Sequence, residues 1–278
     1  ALLGVSLFLS SLSLLGALLI ITSYLYFPSL RKFSFTLIAM MSVADVVTIF
    51  SYFLGNPSAD TGLCTFQGLV QQFGELSSIA WSTLIAYTLY STVKRRIAYT
   101  FKHFPYYVLV GFIAPLLFAL LPLTTQSYTN TGAWCWVDAG SVAGQLWRWL
   151  IFYGPLWGAI GFNGYSYYIA RKELKSAFHA ATSMPPKYAS LIRRLQFYPL
   201  ILVVCWFWGT VNRLQNAFSP DNAVYWLYFL QGTFRSLQGL LNAVAYGTQP
   251  QVREAWAGWL SDRPRFGWLA EKVRPPME

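Results

Sequence analysis

The sequence predicts an all-α membrane protein in which seven transmembrane helices form one bundle. Of the 278 residues, 55% are hydrophobic and only 11% are charged, well below the charged share of soluble domains. A helix needs about 20 apolar residues to cross roughly 30 Å of hydrocarbon. Seven runs of about that length occur, at approximately 1–26, 34–54, 63–92, 104–123, 146–170, 193–215 and 223–247.

Basic residues alternate between the two ends of these spans. They follow the first and third spans and surround the link between the fifth and sixth, at Arg31, Lys32, Lys94, Arg95, Arg96, Lys102, Arg171, Lys172, Lys175, Lys187, Arg193 and Arg194. The opposite loops, at 55–62, 124–145 and 216–222, contain no Lys or Arg. Because basic loops stay in the cytoplasm, we expect a multi-pass plasma membrane protein with its N-terminus outside and its C-terminus inside.

The chain divides into three predicted parts. Residues 1–247 form the seven-helix domain, and neither half repeats the other as in many transporters. Residues 248–261 begin with Thr248 and Pro250 and place apolar residues at helical spacing, which predicts an amphipathic helix on the inner leaflet. We expect the tail, 262–278, to be flexible. The net charge of +10 comes from short clusters between apolar runs, so we expect contact with the lipid bilayer and not with nucleic acid.

Two of the three cysteines are expected to form a disulfide. Cys64 falls at the outer start of the third span and Cys135 in the long outer loop, so both face an oxidising compartment. The alternative is a pair of buried free thiols. Cys205 lies in the middle of a span and is interpreted as a small packing residue.

Three charged residues are predicted near the membrane midplane. Asp45, Glu75 and Arg235 lie 11 or 12 residues from the edges of their spans, and each residue of a helix adds about 1.5 Å. An unpaired charge at that depth costs about 2.5 kcal/mol or more, so we expect mutual pairing. Two roles stay open, a static structural pair and a contact that opens during switching.

The sixth span, FYPLILVVCWFWGTVNRLQN, combines an early proline with a late arginine. A membrane helix must continue past Pro199, because unpaired backbone groups are costly in lipid, so we expect a kink there. We therefore assign Pro199 and Trp206 to a hinge, with Asp45, Glu75 and Arg235 as the polar residues that such a hinge would move.

Two arginines near the outer ends of adjacent spans predict a ligand pocket. Arg148 begins the fifth span and Arg213 lies near the end of the sixth, and the aromatic residues expected around them are Trp134, Trp136, Trp147, Trp206 and Tyr225. Guanidinium groups bind anions through paired hydrogen bonds, so the predicted ligand is a small anion with a flat ring. Alternatively, Arg148 pairs with Asp138 and Arg213 with Asp221, which would close the mouth without a ligand.

The chain carries no pattern typical of an enzyme. No nucleophile stands beside a base, and neither an HExxH motif, a phosphate-binding loop nor a CxxC cluster occurs. We therefore expect no catalytic residues, no cofactor and no metal.

Several motifs resemble the cyclic-AMP-receptor-like family of G-protein-coupled receptors. They are the sixth-span motif, SVADVV in the second span, WSTLIAYTLY in the third, WCW in the outer loop, YGPLW and FNGYSYY in the fifth span and LQGLLNAVAYG in the seventh. The resemblance covers nearly all the spans. It implies a seven-helix receptor that senses an extracellular ligand and activates a heterotrimeric G protein, but it does not imply cyclic AMP as the ligand.

The G protein implied by this resemblance would meet the basic inner face. The residues expected there are Lys94, Arg95, Arg96, Lys187, Arg193, Arg194 and Arg253. The alternative role for these charges is to set the topology and to bind anionic lipid.

Other classes of membrane protein are alternatives to a receptor. A light-driven retinal protein needs a lysine in its seventh helix, and residues 223–247 contain none. A small-solute transporter, or a membrane scaffold for partner proteins, stays as the alternative function, since midplane charges can line a substrate path. The sequence leaves the oligomeric state open, a dimer included.

Overall fold

The computed structural model describes residues 2–59, 61–95, 97, 101–132, 134–179, 195, 197–218, 224–263 and 267–275, and these are mostly helical. The helical segments are α1 (Leu2–Tyr26), α2 (Phe33–Phe53), α3 (Gly62–Lys94), α4 (Phe101–Thr125), α5 (142–179), α6 (Phe197–Phe218), α7 (Tyr225–Gly247), α8 (Pro250–Ser261) and α9 (Gly267–Val273). A two-stranded hairpin, β1 (Tyr128–Asn130) and β2 (Cys135–Val137), lies between α4 and α5.

Four of the described helical segments are long and apolar enough to cross a membrane, namely Gly4–Tyr26, Phe33–Phe53, Phe101–Thr125 and Phe197–Gln215. The other long segments, α3, α5 and α7, contain more polar residues. Many of these are buried inside the bundle, such as Gln67, Gln72 and Glu75 on α3 and Gln238 and Asn242 on α7. The seven crossings and the orientation of the termini stay predictions.

Glycines set the closest approaches between helices. A Cβ added to Gly74 on α3 would lie 2.8 Å from the backbone nitrogen of Thr48 on α2. A Cβ on Gly111 of α4 would lie 2.4 Å from the Trp81 ring, closer than real Cβ atoms come to a neighbour. Small residues therefore allow α3 to pack tightly between α2 and α4.

Two clusters of buried apolar side chains hold the bundle together. The larger contains residues of all helices from α1 to α8 and includes the fully buried Phe35, Trp81 and Tyr246. The smaller lies beneath the hairpin and includes Trp136, Phe152, Tyr153 and Trp206. The hairpin is thus part of the packed structure rather than a loose loop.

A disulfide joins Cys64 at the start of α3 to Cys135 in β2. The predicted bridge is confirmed, and the alternative of two free thiols is wrong. Next to the bridge, the Cys135 backbone N–H donates to Oε1 of Gln67 at 2.8 Å, and Gln67 Nε2 donates to the carbonyls of Ser51 and Gly55. The hairpin is therefore attached to α3 by both a covalent bond and a hydrogen-bonded glutamine. Cys205 is buried and free.

Two helices contain π-helical turns, at Leu109–Ile113 in α4 and at Arg148–Tyr153 in α5. Each turn is followed within two residues by a proline, Pro115 or Pro155, which has no N–H to donate to the preceding turn. The wider turn in α5 begins at Arg148 and shifts the faces that the following residues present.

The C-terminal segment packs against α1. Trp256 Nε1 donates to Ser23 Oγ at 3.1 Å, and Trp259 Nε1 donates to the Tyr26 hydroxyl at 3.0 Å. The tail differs from the flexible segment that we expected, because Gly267–Val273 is helical. Arg253 stabilises the end of that helix by donating to the carbonyls of Val273 and Arg274 at 2.8 and 3.1 Å.

Candidate functional site

Trp136 forms the centre of the site beneath the hairpin. It is buried, its Nε1 donates to Oε1 of Gln72 on α3 at 2.6 Å, and its ring meets Phe152 and Tyr153 of α5 edge-on. Tyr128 on the paired strand is also buried and donates its hydroxyl to the Ala119 carbonyl, and burial raises its pKa. The hairpin thus presents a rigid aromatic surface to α3 and α5.

Arg148 lies on the face of this indole. Its guanidinium carbon is 4.8 Å from the ring centre of Trp136, and Nε and Nη2 both donate to the Val137 carbonyl, at 2.7 and 2.5 Å. The side chain is buried. A cation on an indole face gains electrostatic stabilisation, but the positive charge itself is not neutralised by these contacts.

Asp138 does not supply the missing countercharge by direct contact. Its carboxylate accepts the backbone N–H groups of Gly140 and Ser141 at 2.8 and 2.9 Å and so stabilises the turn that begins α5. The Gly140 hydrogen bond is the main reason why the pKa of Asp138 is lowered, and Arg148 adds a smaller attraction. The alternative was that Arg148 and Asp138 close the mouth as an ion pair, but these two side chains form no direct ion pair.

Arg213 on α6 is the second cation. It is half-buried, its guanidinium carbon is 6.0 Å from the Tyr228 ring centre, and its charge lies near enough to Arg148 for the two to repel. Its Nε is buried with no hydrogen-bond partner among the described residues. Asp221, the partner proposed in the alternative, lies outside the described residues, as does Asp60.

The aromatic residues predicted around the arginines divide between different places. Trp206 meets Phe152 at 5.5 Å and belongs with Trp136 to the cluster beneath the hairpin. Trp147 is half-buried and donates its Nε1 to Thr125 at the end of α4. Trp134 lies beside Arg235 rather than Arg148, and Tyr225 is exposed at the start of α7.

Glu75 and Arg235 form an ion pair between α3 and α7. The Tyr52 hydroxyl donates to Oε1 of Glu75 at 3.3 Å, and the rings of Tyr52 and Trp134 lie 4.9 and 5.3 Å from the Arg235 guanidinium carbon. The expected mutual pairing of the midplane charges is therefore found for these two residues.

Asp45 is not part of that pair. It accepts hydrogen bonds from Ser78 Oγ at 2.6 Å, Asn242 Nδ2 at 3.0 Å and Gln238 Nε2 at 3.5 Å. Oε1 of Gln238 also accepts from Nε1 of Trp206 at 3.0 Å, so α6 is joined to this network. A cavity of about 30 Å³, large enough for a water molecule, is lined by residues of both this network and the Glu75 pair.

Comparison with known proteins identifies the family. Residues 1–252 match the family model described as slime mold cyclic AMP receptor. The chain belongs to this receptor family. This chain has the fold of squid rhodopsin, with a TM-score of 0.71 at 16% sequence identity. The match covers 99% of this chain and 91% of squid rhodopsin. The predicted all-α membrane bundle is thereby confirmed.

Individual relatives agree with the family assignment. The chain is 32% identical to "G-protein coupled receptor 1" of Arabidopsis thaliana, over 96% of this chain and 84% of that protein. It is 27% identical to "Cyclic AMP receptor-like protein A" of Dictyostelium discoideum, over 86% and 62%. It is also 27% identical to human "G-protein coupled receptor 157", over 85% and 77%. The predicted family resemblance is confirmed.

The inner-face residues of this cyclic AMP receptor family member are described only in part. Lys94 is the last residue of α3, and the guanidinium carbon of Arg95 lies 6.0 Å from the Tyr90 ring centre. Arg253 is bound to the tail carbonyls. The four other predicted members of this face, Arg96, Lys187, Arg193 and Arg194, lie outside the described residues.

Pro199 lies two residues after Phe197, where α6 begins among the described residues, and Leu195 is helical as well. The predicted kink depends on the helical turn that precedes Pro199. Of residues 180–196, the structure describes only Leu195. The hinge therefore stays a prediction.

Gln72 belongs to no motif that indicated a site residue in the sequence. Its Oε1 is bonded to Trp136, whereas its Nε2 is buried without a partner among the described residues. The available signal was the presence of Gln67, Gln71 and Gln72 within a predicted span, where each uncharged amide also needs partners.

Proposed function

We propose that this protein is a G-protein-coupled receptor that binds a small extracellular anion between α5 and α6 and activates a heterotrimeric G protein. Membership of a receptor family supports the general class. In this proposal 1–247 is the receptor domain, 248–261 lies on the inner leaflet and 262–278 is a cytoplasmic tail. The N-terminus is extracellular.

The arrangement of Arg148 and Arg213 is the observation that supports an anionic ligand. Arg148 is buried on Trp136, and the charge of Arg213 on α6 repels it. The nearby Asp138 is held in its own turn. An anion placed between two like charges turns their repulsion into two attractions, which favours anion binding.

Trp136 and Trp206 favour a ligand that also carries a flat ring. Both indoles pack on Phe152 beneath the hairpin, at 5.1 and 5.5 Å between ring centres. A flat ring attached to the anion can therefore stack in this aromatic cluster. Cyclic AMP combines one phosphate charge with a flat base, and two relatives from Dictyostelium discoideum are named cyclic AMP receptors, so it is a suitable first probe.

Signal transfer is proposed to run through α6. An anion that contacts Arg148 and Arg213 connects α5 to α6, and Trp206 links α6 to Gln238 on α7. Such a ligand shifts α6 only if it binds one arrangement of the helices more tightly than the other. The proposed G-protein surface is the basic inner face, with Lys94, Arg95, Arg96, Lys187, Arg193, Arg194 and Arg253 as contacts.

A ligand screen with variant receptors tests this function. The measurement is nucleotide exchange on a panel of G proteins with purified receptor and cyclic AMP, AMP, phosphate and citrate as probes. We expect Arg148→Lys and Arg213→Ala to weaken the response at least ten-fold. Lysine retains the charge but cannot make the paired hydrogen bonds of a guanidinium group.

The matched control is Arg171→Ala, which removes an exposed arginine beside Tyr167 at the other end of α5. It should leave ligand potency unchanged. A responsive anion whose potency survives both Arg148→Lys and Arg213→Ala would contradict the proposed site. Uptake of a labelled probe into proteoliposomes, without nucleotide exchange, would instead support the transporter alternative.

A further inference from the structure

We infer that Gln72 on α3 is a ligand-contacting hydrogen-bond donor, and that the ligand carries a hydrogen-bond acceptor next to its negative charge. Phosphate esters and carboxylates with a neighbouring hydroxyl belong to this class. The inference deepens the proposed anion site and rests on it.

The orientation of the Gln72 amide follows from its partner. An indole N–H can only donate, so the group facing Trp136 Nε1 has to be the amide oxygen, and the contact of 2.6 Å is a hydrogen bond. The NH₂ group is then directed away from that indole nitrogen. Gln72 is fully buried, and its Nε2 has no partner among the described residues.

A buried NH₂ group that no protein acceptor satisfies lowers stability unless a water or another bound molecule accepts from it. A ligand atom that accepts from Nε2 recovers that loss and so gains affinity. Gln67, five residues earlier on the same helix, shows the contrast. Both atoms of its amide are bonded, to Cys135 N–H and to two carbonyls of the α2 end, so its role is structural.

Gln72 and Arg148 lie on the same indole. The ring edge of Trp136 binds the glutamine and the ring face carries the guanidinium group at 4.8 Å. Trp136 thus joins a neutral amide and a positive charge in one wall of the proposed site. The nearest carboxylate on α3, Glu75, is occupied by Arg235. The wall therefore favours a ligand with acceptors and disfavours a cation.

Gln71 is also buried, and neither of its amide atoms has a hydrogen-bond partner in the described part of the chain. No hydrogen bond sets the direction of its amide, so the inference is limited to Gln72.

Two substitutions separate a ligand contact from a structural role. Gln72→Glu retains an oxygen that accepts from Trp136 but replaces the NH₂ donor by a second oxygen, and the Arg148 charge favours its ionised form. Gln72→Met has a similar shape but loses both functions. The control Gln145→Glu adds the same charge at an exposed position one turn before Arg148.

The measurement is the ligand-induced rise in melting temperature of the purified full chain, titrated with cyclic AMP, AMP, phosphate and citrate. We expect Gln72→Glu to melt near wild type without a probe and to bind the effective probe at least ten-fold more weakly. Gln72→Met should lose affinity and also melt lower without a probe, because Trp136 Nε1 has no acceptor. Gln145→Glu should behave as wild type.

The outcomes distinguish this inference from the proposed function. If Arg148→Lys weakens binding but Gln72→Glu binds as wild type, Gln72 only positions Trp136 and the inference is overturned while the anion site stands. If none of the probes raises the melting temperature of the wild-type chain, the anion site and the inference fail together.

Discussion

Glu75 on α3 and Arg235 on α7 form a buried ion pair between the rings of Tyr52 and Trp134. The pair joins the helix that carries the disulfide to the helix that carries Gln238 and Asn242. Two charges buried together are weak evidence for stability by themselves, because both have been removed from water. Removing one partner is different, since it leaves the other charge buried and unpaired.

We predict that Glu75→Gln and Arg235→Gln each lower the free energy of unfolding by about 3–5 kcal/mol. The double variant should lose clearly less than the sum, because neither charge is then left alone. Denaturation of the purified variants in a double-mutant cycle measures this coupling, and additive effects would contradict it. If the pair opens during activation, both single variants also raise basal nucleotide exchange per folded receptor, whereas a static pair leaves it unchanged.

The second prediction concerns the contact between α2 and α3. Gly74→Ala should destabilise the protein by about 1–3 kcal/mol, because the new methyl group would overlap the backbone of Thr48. Gly158→Ala is the matched control, since nothing lies within 4 Å of a Cβ at that helical position. It should be neutral or slightly stabilising, because alanine favours a helix. Equal melting temperatures for the two variants would contradict the close approach.

The sequence contained enough information for the class of fold and for the position of residues along each helix. Apolar length identifies a span, and the charges of the loops place Cys64 and Cys135 on one side, which is why the disulfide could be predicted. The same counting placed Glu75 and Arg235 at similar depth. Depth is readable because a helix advances by a constant rise per residue.

The sequence did not indicate how each helix is rotated about its axis. Nor did it indicate which of several equivalent partners a residue contacts. Asp45 lies at the same depth as Glu75 but is bound by Ser78, Asn242 and Gln238, because those amide and hydroxyl donors face it. Trp134 and Trp136 are two residues apart, a spacing that places side chains on the same face of a strand. One nevertheless lies beside Arg235 and the other beside Arg148, because Trp134 precedes the strand Cys135–Val137. The half-satisfied amide of Gln72 depends on such facing positions and was missed for that reason.

Removal of the disulfide is expected to release the hairpin. The bridge closes a chain segment with a sequence separation of 71 residues, and loss of a native disulfide typically costs about 2–5 kcal/mol. We predict that the double variant Cys64→Ser/Cys135→Ser melts lower and loses anion binding, because Trp136 and Arg148 are no longer held together. Cys205→Ala, at the buried free thiol, is the control and should retain ligand binding. Unchanged binding in the double variant would show that the noncovalent contacts of the hairpin are enough to hold it.

Asp138 predicts a pH dependence of the turn that begins α5. Hydrogen bonds from the backbone N–H groups of Gly140 and Ser141 lower its pKa in the folded state below the ordinary value of 3.8. The turn is therefore stabilised at pH values above about 3.8, and this stabilisation is lost as the pH falls through the lower folded-state pKa. Amide exchange at Gly140 and Ser141, followed by NMR, should rise below pH 3.8 in wild type. In Asp138→Asn the step should be absent, and a step of equal size would assign it to another group.

We predict that the tail and the G protein compete for the guanidinium group of Arg253. In the structure Nε and Nη2 donate to the carbonyls of Val273 and Arg274, which end α9. We expect Arg253→Gln to increase hydrogen exchange in 267–275 while α8 keeps its protection through Trp256 and Ser23. Arg263→Gln is the control, since this guanidinium group lies on Trp259 at 3.9 Å instead.

The contact between Arg253 and the tail also affects coupling to the G protein. If Arg253 belongs to the G-protein surface, its N–H groups have to leave the tail carbonyls before they can bind an acidic group of the G protein. Deletion of 264–278 should then raise nucleotide exchange in wild type but not in Arg253→Gln, because the variant has no guanidinium group to free. An equal rise in both proteins would mean that the tail restrains the inner face by another contact. No rise in either would leave Arg253 with the single role of stabilising the end of α9.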